Sequence, residues 1–283
     1  MRTWGQRYIY SRWSFGGNIV KRIETVFQNL KNNHKTGFIS FIMAGDGGRD
    51  ISRAILEKLP ECGVDIIELG MPFTDPMADG ITIQNAGLRA LKSGQTMIKT
   101  LEDVAWFREK NQSTPIILMG YYNPIYIYGV DKFLHDAKNA GVDGLIIVDL
   151  PPEEDSELCL PAHNQGIDFV RLLTPTTTGK RFDKTLRHAQ GFLYYVSVSG
   201  VTGTKTANLD DLTNRVAQIK TYSTLPVAVG FGIKTADDVL RTKESGADAI
   251  VVGSAIVERI GNITDKKDVS DVLDFVKSLT QCL

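Results

Sequence analysis

From Gly37 to the C-terminal region, short apolar runs rich in β-branched residues alternate with longer stretches of helical period, and this alternation limits the chain to very few folds. The runs are Phe38 to Ala44, Asp65 to Gly70, Pro115 to Tyr121, Gly144 to Leu150, Phe169 to Thr174, Phe192 to Ser199, Pro226 to Gly232 and Ala249 to Gly253. Between them lie segments such as Ile51 to Leu59, Asp131 to Ala140, Leu209 to Lys220 and Thr235 to Ser245, whose apolar spacing suits amphipathic helices. Strands separated by helices in this way pair in parallel, because each crossover returns the chain to the same end of the sheet. One joint recurs at Gly63-Val64-Asp65, Gly141-Val142-Asp143, Gly166-Ile167-Asp168 and Gly246-Ala247-Asp248. Glycine suits the left-handed position after a helix, and the apolar residue that follows folds back on the last turn.

Eight repeats with no second composition regime favour an α/β fold closed as a (β/α)8 TIM barrel over an open doubly wound sheet. Ile19, Ile23, Phe27 and Leu30 share one helical face, so an extra N-terminal helix over residues 18–32 is predicted to cover the barrel floor. The organisation expected is a single domain over residues 18–283, preceded by an extension over 1–17. That extension carries Arg2, Arg7 and Arg12 without an acid, which fits either an organelle transit segment or a disordered tail.

With 32 basic and 33 acidic residues there is no global field to attract nucleic acid or an anionic membrane. No apolar run reaches the roughly 18 residues that span a bilayer. Cys62, Cys159 and Cys282 are scattered, which suits reduced thiols and a cytoplasmic location, with the plastid stroma as the alternative. Any anion site must then be built locally, at the carboxyl ends of the strands where such barrels do their chemistry.

Period two along the second run places Ile66, Glu68 and Gly70 on one face and Ile67 and Leu69 on the other. If the first face is the barrel interior, burial raises the Glu68 pKa and suits it to proton exchange; the alternative is a structural acid paired with a neighbouring donor. Asp75 and Asp79 follow in a loop marked by proline and glycine. Three glycine turns come late, Ser199 to Gly203, Gly230 to Lys234 and Val252 to Ala255. Glycine admits an anion close to the main chain, and amides at a following helix hold phosphate, so Gly203, Gly232, Gly253 and Ser254 are candidate phosphate ligands. The small, polar stretch from Ser199 to Asn208 suits a lid. No strand candidate carries a lysine for imine chemistry, and His34, His135, His163 and His188 all fall outside the strands, so no metal is expected.

The segment Glu68-Leu-Gly-Met-Pro-Phe-Thr-Asp-Pro-Met-Ala-Asp79-Gly, continuing to Asn85, resembles the α subunit of tryptophan synthase. The likeness extends through Phe41 to Asp46, Met119 to Pro124, Asp149 to Glu153 and Leu173 to Thr178. It implies retro-aldol cleavage of indole-3-glycerol phosphate to indole and glyceraldehyde 3-phosphate, with Glu68 as acid/base and Asp79 at the indole N–H. By the same resemblance Tyr194 lies near the reacting glycerol carbons and Phe41 and Met119 line the indole pocket, positions that residue type alone reads as barrel core. Thr202 would help order the lid against Asp79. The implied partner is a β subunit in an αββα heterotetramer that takes up the indole, faced by Thr74 to Asp79 and Asp149 to Pro152. Pyridoxal phosphate belongs to that partner and no cofactor to this chain. Ile81 stands where the family usually has proline, and Val198 where some relatives carry arginine. Competing expectations are another phosphate-binding biosynthetic barrel and a catalytically silent regulatory binder of a phosphate ligand.

Overall fold

The computed structural model describes residues 21–196, 209–230, 232–263 and 269–283. In these the strands are β1 Gly37–Met43, β2 Ile66–Gly70, β3 Ile116–Gly120, β4 Gly144–Ile147, β5 Asp168–Phe169, β6 Arg171–Leu173, β7 Leu193–Val196, β8 Val227–Gly230 and β9 Ala249–Val252. The helices are α1 Arg22–Asn32, α2 Arg49–Lys58, α3 Ile81–Lys92, α4 Met97–Lys110, α5 Tyr122–Tyr128, α6 Val130–Ala140, α7 Cys159–Asn164, α8 Lys180–Leu186, α9 Leu209–Tyr222, α10 Ala236–Glu244, α11 Ser254–Gly261 and α12 Ser270–Thr280. All strand pairs are parallel, in the order β5-β4-β3-β2-β1-β9-β8-β7-β6.

β5 and β6 are two halves of one predicted run, interrupted at Val170. The first half pairs with β4 and the second with β7, while the Val170 amide donates to the Leu145 carbonyl at 2.9 Å. A single stretch of chain therefore closes the sheet, and eight runs make the (β/α)8 TIM barrel foreseen from the alternation. None of the described helices is long and apolar enough to cross a membrane.

The strands are buried on both faces, which is why their sequences read as continuous β-branched runs. Ile39, Ile66, Ile117, Ile146, Val170, Phe192, Ala228, Ala249 and Val251 fill the barrel interior. Phe38, Ile42, Ile67, Leu69, Leu118 and Leu145 face outward, where they pack with helix residues such as Ile55, Val104 and Phe133. The expected division of β2 therefore holds: Ile66 points inward, Ile67 and Leu69 outward.

Each of the four joints has its glycine at positive φ, from 70° at Gly166 to 92° at Gly141. The next amide returns to the preceding turn, as Val142 N–H does to the Ala137 carbonyl at 3.0 Å. Three of the joint aspartates have a further task that the tripeptide alone does not show. Asp65, Asp143 and Asp248 accept the amides of Phe38, Ile116 and Val227, each at 2.8 Å, and so fasten the first residues of the neighbouring strands.

Helix α1 lies across this same end. Ile23, Phe27 and Leu30 are buried, and the Phe27 ring packs on Phe192 with centroids 5.5 Å apart. Leu30 and Ile23 cover the starts of β1 and β4 so closely that a Cβ at Gly37 would stand 2.7 Å from Leu30 and one at Gly144 3.2 Å from Ile23. Arg22 and Arg108 both reach Asp143, at 2.8 and 2.6 Å, tying α1 and α4 to the floor. Ile19 and the 1–17 extension lie outside the described residues.

Because Asp143 neutralises a buried guanidinium, its loss strands Arg108, whereas loss of Asp65 removes one accepted amide. Asp143→Ala is expected to lower the unfolding free energy by about 3 kcal/mol and Asp65→Ala by about 1–2 kcal/mol. Denaturant titration of the two variants checks the order, and equal losses would show that the ion pairs on the floor add nothing.

Candidate active site

At the opposite end, the loops that follow β1 to β4 enclose a cavity lined by Phe41, Met43, Met71, Asp79, Met119, Gly120, Tyr121 and Val148. Strand register builds its base. Phe41 on β1 pairs with Glu68 on β2, which pairs with Ile117 on β3, so the period-two face carrying Ile66 and Glu68 is the barrel interior. Gly70 leaves room for the Phe41 ring, since a Cβ there would meet its Cζ at 2.7 Å.

Glu68 has no exposed surface, and among the described residues neither carboxyl oxygen has a hydrogen-bond partner. The structural-acid alternative required a neighbouring donor, and no such donor is present among those residues. Burial pushes the Glu68 pKa up to about 8. An isolated carboxylate in an apolar interior takes up a proton rather than bear the loss of hydration. At neutral pH Glu68 is a carboxylic acid.

Asp79 sits at the rim in the loop between β2 and α3. Burial raises its pKa to about 6, while a hydrogen bond from Tyr121 acts in the opposite direction. The loop is fixed from both sides, because the Ala78 amide donates to the Tyr121 hydroxyl at 3.0 Å and Gln84 Nε2 donates to the Asp79 carbonyl at 2.8 Å. Further along α3, Arg89 holds Asp46 in the β1 loop through Nε at 2.7 Å and Nη2 at 2.8 Å. Ile81 is the first residue of α3 and 69% exposed. A first helical position also suits proline, so isoleucine there leaves the helix start intact.

Tyr194 on β7 faces inward, packed against the interior cluster. Burial, followed by the Glu68 charge, holds its phenol well above the usual range, so the hydroxyl keeps its proton. β8 admits that hydroxyl only because residue 230 is glycine: a Cβ there would stand 2.6 Å from it.

The late glycine turns reach the same end of the barrel. Gly232, with φ of 71°, lies between β8 and α10. Gly253 immediately precedes α11, whose first residue is Ser254, and a Cβ on Gly253 would come within 3.2 Å of Phe41. The glycine turn after the last strand thus abuts the cavity wall. Thr202, Gly203, Val198 and the lid expected over Ser199 to Asn208 lie outside the described residues.

Several lining residues were not singled out from the sequence: Met43, Met71, Gly120, Tyr121 and Val148. Met71, Tyr121 and Val148 each lie one residue beyond their strands, where the period no longer governs direction.

A closed parallel barrel with glycine turns at the carboxyl ends of its strands and a buried acid that has no hydrogen-bond partner among the described residues defines a TIM-barrel protein with a proton-exchanging group in its interior. Residues 27–281 match the family described as tryptophan synthase alpha chain, and the chain belongs to that family. It is 37% identical to tryptophan synthase subunit alpha from Legionella pneumophila, with a TM-score of 0.86 over 93% of this chain and 98% of that one. A chain of the tryptophan synthase complex from Pyrococcus furiosus is 37% identical with a TM-score of 0.77, covering 86% of this chain and 97% of that one. Tryptophan synthase from M. tuberculosis in an aminoacrylate-bound form is 28% identical with a TM-score of 0.82, covering 93% and 99%. Family membership implies a lyase activity on indole-3-glycerol phosphate, and neither competing expectation finds support.

The Glu68 pKa also has a consequence for stability. Its folded value exceeds the unfolded one, so the folded chain binds the extra proton and loses stability as pH rises from about 4.5 to about 8. A glutamine side chain at this position would mimic the neutral acid without titrating. Glu68→Gln is therefore expected to match the parent near pH 4.5 and to exceed it by on the order of 2–3 kcal/mol at pH 7. Parallel stability curves from pH 4.5 to 8 would sink the assignment of a protonated Glu68.

Proposed function

We propose that this chain cleaves the bond between indole C3 and the glycerol chain of indole-3-glycerol phosphate, yielding indole and glyceraldehyde 3-phosphate, the α reaction of tryptophan synthase. The observation that carries the reading is the acid at Glu68, without a hydrogen-bond partner among the described residues and protonated at neutral pH, on the strand beside Phe41 of the cavity wall.

Cleavage needs a proton at indole C3 as the carbon–carbon bond breaks, and it needs the glycerol 3-hydroxyl to give up its proton as that oxygen becomes the aldehyde carbonyl. Glu68 supplies the first proton and recovers the second, so the acid is regenerated and no net proton is consumed. Positive character develops on the indole nitrogen in between. Asp79, ionised above about pH 6, stabilises it as acceptor of the indole N–H. Phe41 and Met119 hold the indole plane, and the protonated Tyr194 hydroxyl orients the glycerol oxygens. Gly232, Gly253, Ser254 and, beyond the described residues, Gly203 take the phosphate, with main-chain amides at the start of α11 in place of a cation, while Thr202 helps order the lid against Asp79.

The mechanism calls on no metal and on no cofactor of this chain. Two relatives are described as a tryptophan synthase complex and as an aminoacrylate-bound tryptophan synthase. We extend this to a β subunit that carries pyridoxal phosphate and joins this chain in an αββα assembly. Support comes from apolar side chains around the cavity's end of the barrel: Met77 and Ile127 are each 77% exposed, and Tyr126 62%. Such a surface suits burial by another protein more than water. Cys62, Cys159 and Cys282 are free thiols, in keeping with a reducing compartment such as the cytoplasm or a plastid stroma.

A protonated Glu68 and an ionised Asp79 coexist between about pH 6 and about pH 8. The kcat/KM for indole release is therefore expected to be bell-shaped with limbs near those values. Glu68→Gln should abolish indole release while leaving binding of a non-cleavable phosphate analogue intact; turnover like that of the parent would overturn the role given to Glu68.

A further inference from the structure

The cavity at the carboxyl ends of β1 to β4 encloses about 10 Å³, room for a single water molecule. A benzene-sized guest fills a cavity of about 150 Å³. An aromatic ring therefore enters only if part of the wall moves, and the packing of each lining residue decides which part.

Most of the lining is pinned. A Cβ on Gly70 would meet the Phe41 ring at 2.7 Å and one on Gly253 the Phe41 Cβ at 3.2 Å, so Phe41 is held between two stretches of main chain. The Tyr121 ring packs on Phe73 with centroids 5.5 Å apart, and its hydroxyl accepts the Ala78 N–H at 3.0 Å. Val148 is β-branched and stiff, and its amide donates to the Gly120 carbonyl at 3.0 Å. Met71 belongs with Leu69 and Leu118 to the layer between strands and helices, and its Cε lies 2.9 Å from the place of a Cβ on Gly120. Met119 and Met43 remain, packed in one cluster with Phe41, Ala86, Ala90 and Val257.

Met43 is the one with somewhere to go. It ends β1 on the face that carries Phe41 and is 5% exposed. Its Sδ lies 2.9 Å from the place of a Cβ on Gly70, and its Cε 3.9 Å from that of a Cβ on Gly87 in α3. Among the described residues outside α3, the one other atom within 4 Å of that place is the Phe73 carbonyl oxygen, at 3.8 Å. A methyl group at residue 87 would thus sit in ordinary van der Waals contact. The φ of Gly87 is not positive either, and a glycine inside a helix weakens it relative to alanine. Neither backbone conformation nor crowding asks for glycine here; what it leaves is a recess at the tip of the Met43 side chain.

We propose that Met43 is a further substrate-binding residue and the part of the wall that yields: its thioether arm swings into the recess beside Gly87 and leaves its place to the aromatic ring. This inference rests on the reading of an indole substrate above and extends it. An unbranched thioether has three bonds to turn about and does so at little cost, which a branched side chain of similar volume cannot match.

Gly87→Ala fills the recess without a clash and adds a better helix former, so its thermal unfolding midpoint should rise by about 2–3 °C. Its KM for indole-3-glycerol phosphate should nevertheless rise about tenfold, the loss appearing in KM rather than kcat, because the ring meets an arm that can no longer withdraw. A purely structural glycine would not join a gain in stability to a loss of binding. Met43→Leu keeps the volume but is shorter and branched, and should raise KM by a similar factor. In that background Gly87→Ala should cost less than about a further twofold, because the two positions act as one unit. Calorimetric titration with indole alone is independent of turnover and should give the same order of affinities. An unchanged KM and indole affinity in Gly87→Ala, full additivity of the two substitutions, or a midpoint below that of the parent would each overturn the proposal, as would a parent that binds no indole. If the parent binds indole but releases none from the substrate, the lyase reading fails instead, and the indole titration still decides the part played by Met43.

Discussion

A parallel barrel leaves the first amide of each strand facing a neighbour that has not yet begun, and the fold depends on how these groups are satisfied. Here the carboxylates that end the helix-to-strand joints do it, as Asp65, Asp143 and Asp248 take the amides of Phe38, Ile116 and Val227. Buried main-chain donors must find acceptors, so these bonds fix the register of β1 with β2, β3 with β4, and β8 with β9 before any loop chemistry is considered. The same end receives α1 and the Arg22–Asp143–Arg108 ion network. With the floor fastened, the opposite rim is released from structural duty and can hold groups that a stable core would reject.

Glu68 is such a group. Nothing in its surroundings offers it a hydrogen bond among the described residues, and that lack sets its behaviour: a carboxyl kept neutral can give up a proton near pH 7, which a solvated glutamate cannot. Asp79 is placed to differ. It is buried less completely and has a phenol to satisfy it, so its pKa lies at about 6 against about 8 for Glu68. Two acids eleven residues apart in sequence thus titrate in different ranges, and the separation follows from how completely each is buried.

Much of this was legible in the residues. The alternation of runs pointed to the barrel, and the period of two assigned Glu68 to the interior face with Ile66, as the register with Phe41 and Ile117 bears out. Helix ends were less exact: Thr235 and Ser245 prove to be the caps of α10 rather than its first and last turns. The fifth run divides at Val170, because one half must reach β4 and the other β7, a demand of closure with no local signature. Tyr121 escaped for a different reason. Its hydroxyl accepts the Ala78 N–H from a loop far back along the chain, and no spacing rule connects the two.

Three of the side chains around the cavity, Met43, Met71 and Met119, are thioethers. An unbranched, polarisable side chain changes rotamer at little cost, so this wall is a soft lining that moulds itself to a flat aromatic guest instead of a rigid slot cut for one outline. Shape therefore discriminates poorly here, and selection among guests of similar size falls to the polar groups at the edges. The softness has a chemical cost as well: one oxygen atom added to a sulfur turns an oily surface into a polar, chiral one. The low exposure of Met43 and Met71 is therefore a protection as well as a packing requirement, since burial keeps these sulfurs from oxidants in the surroundings.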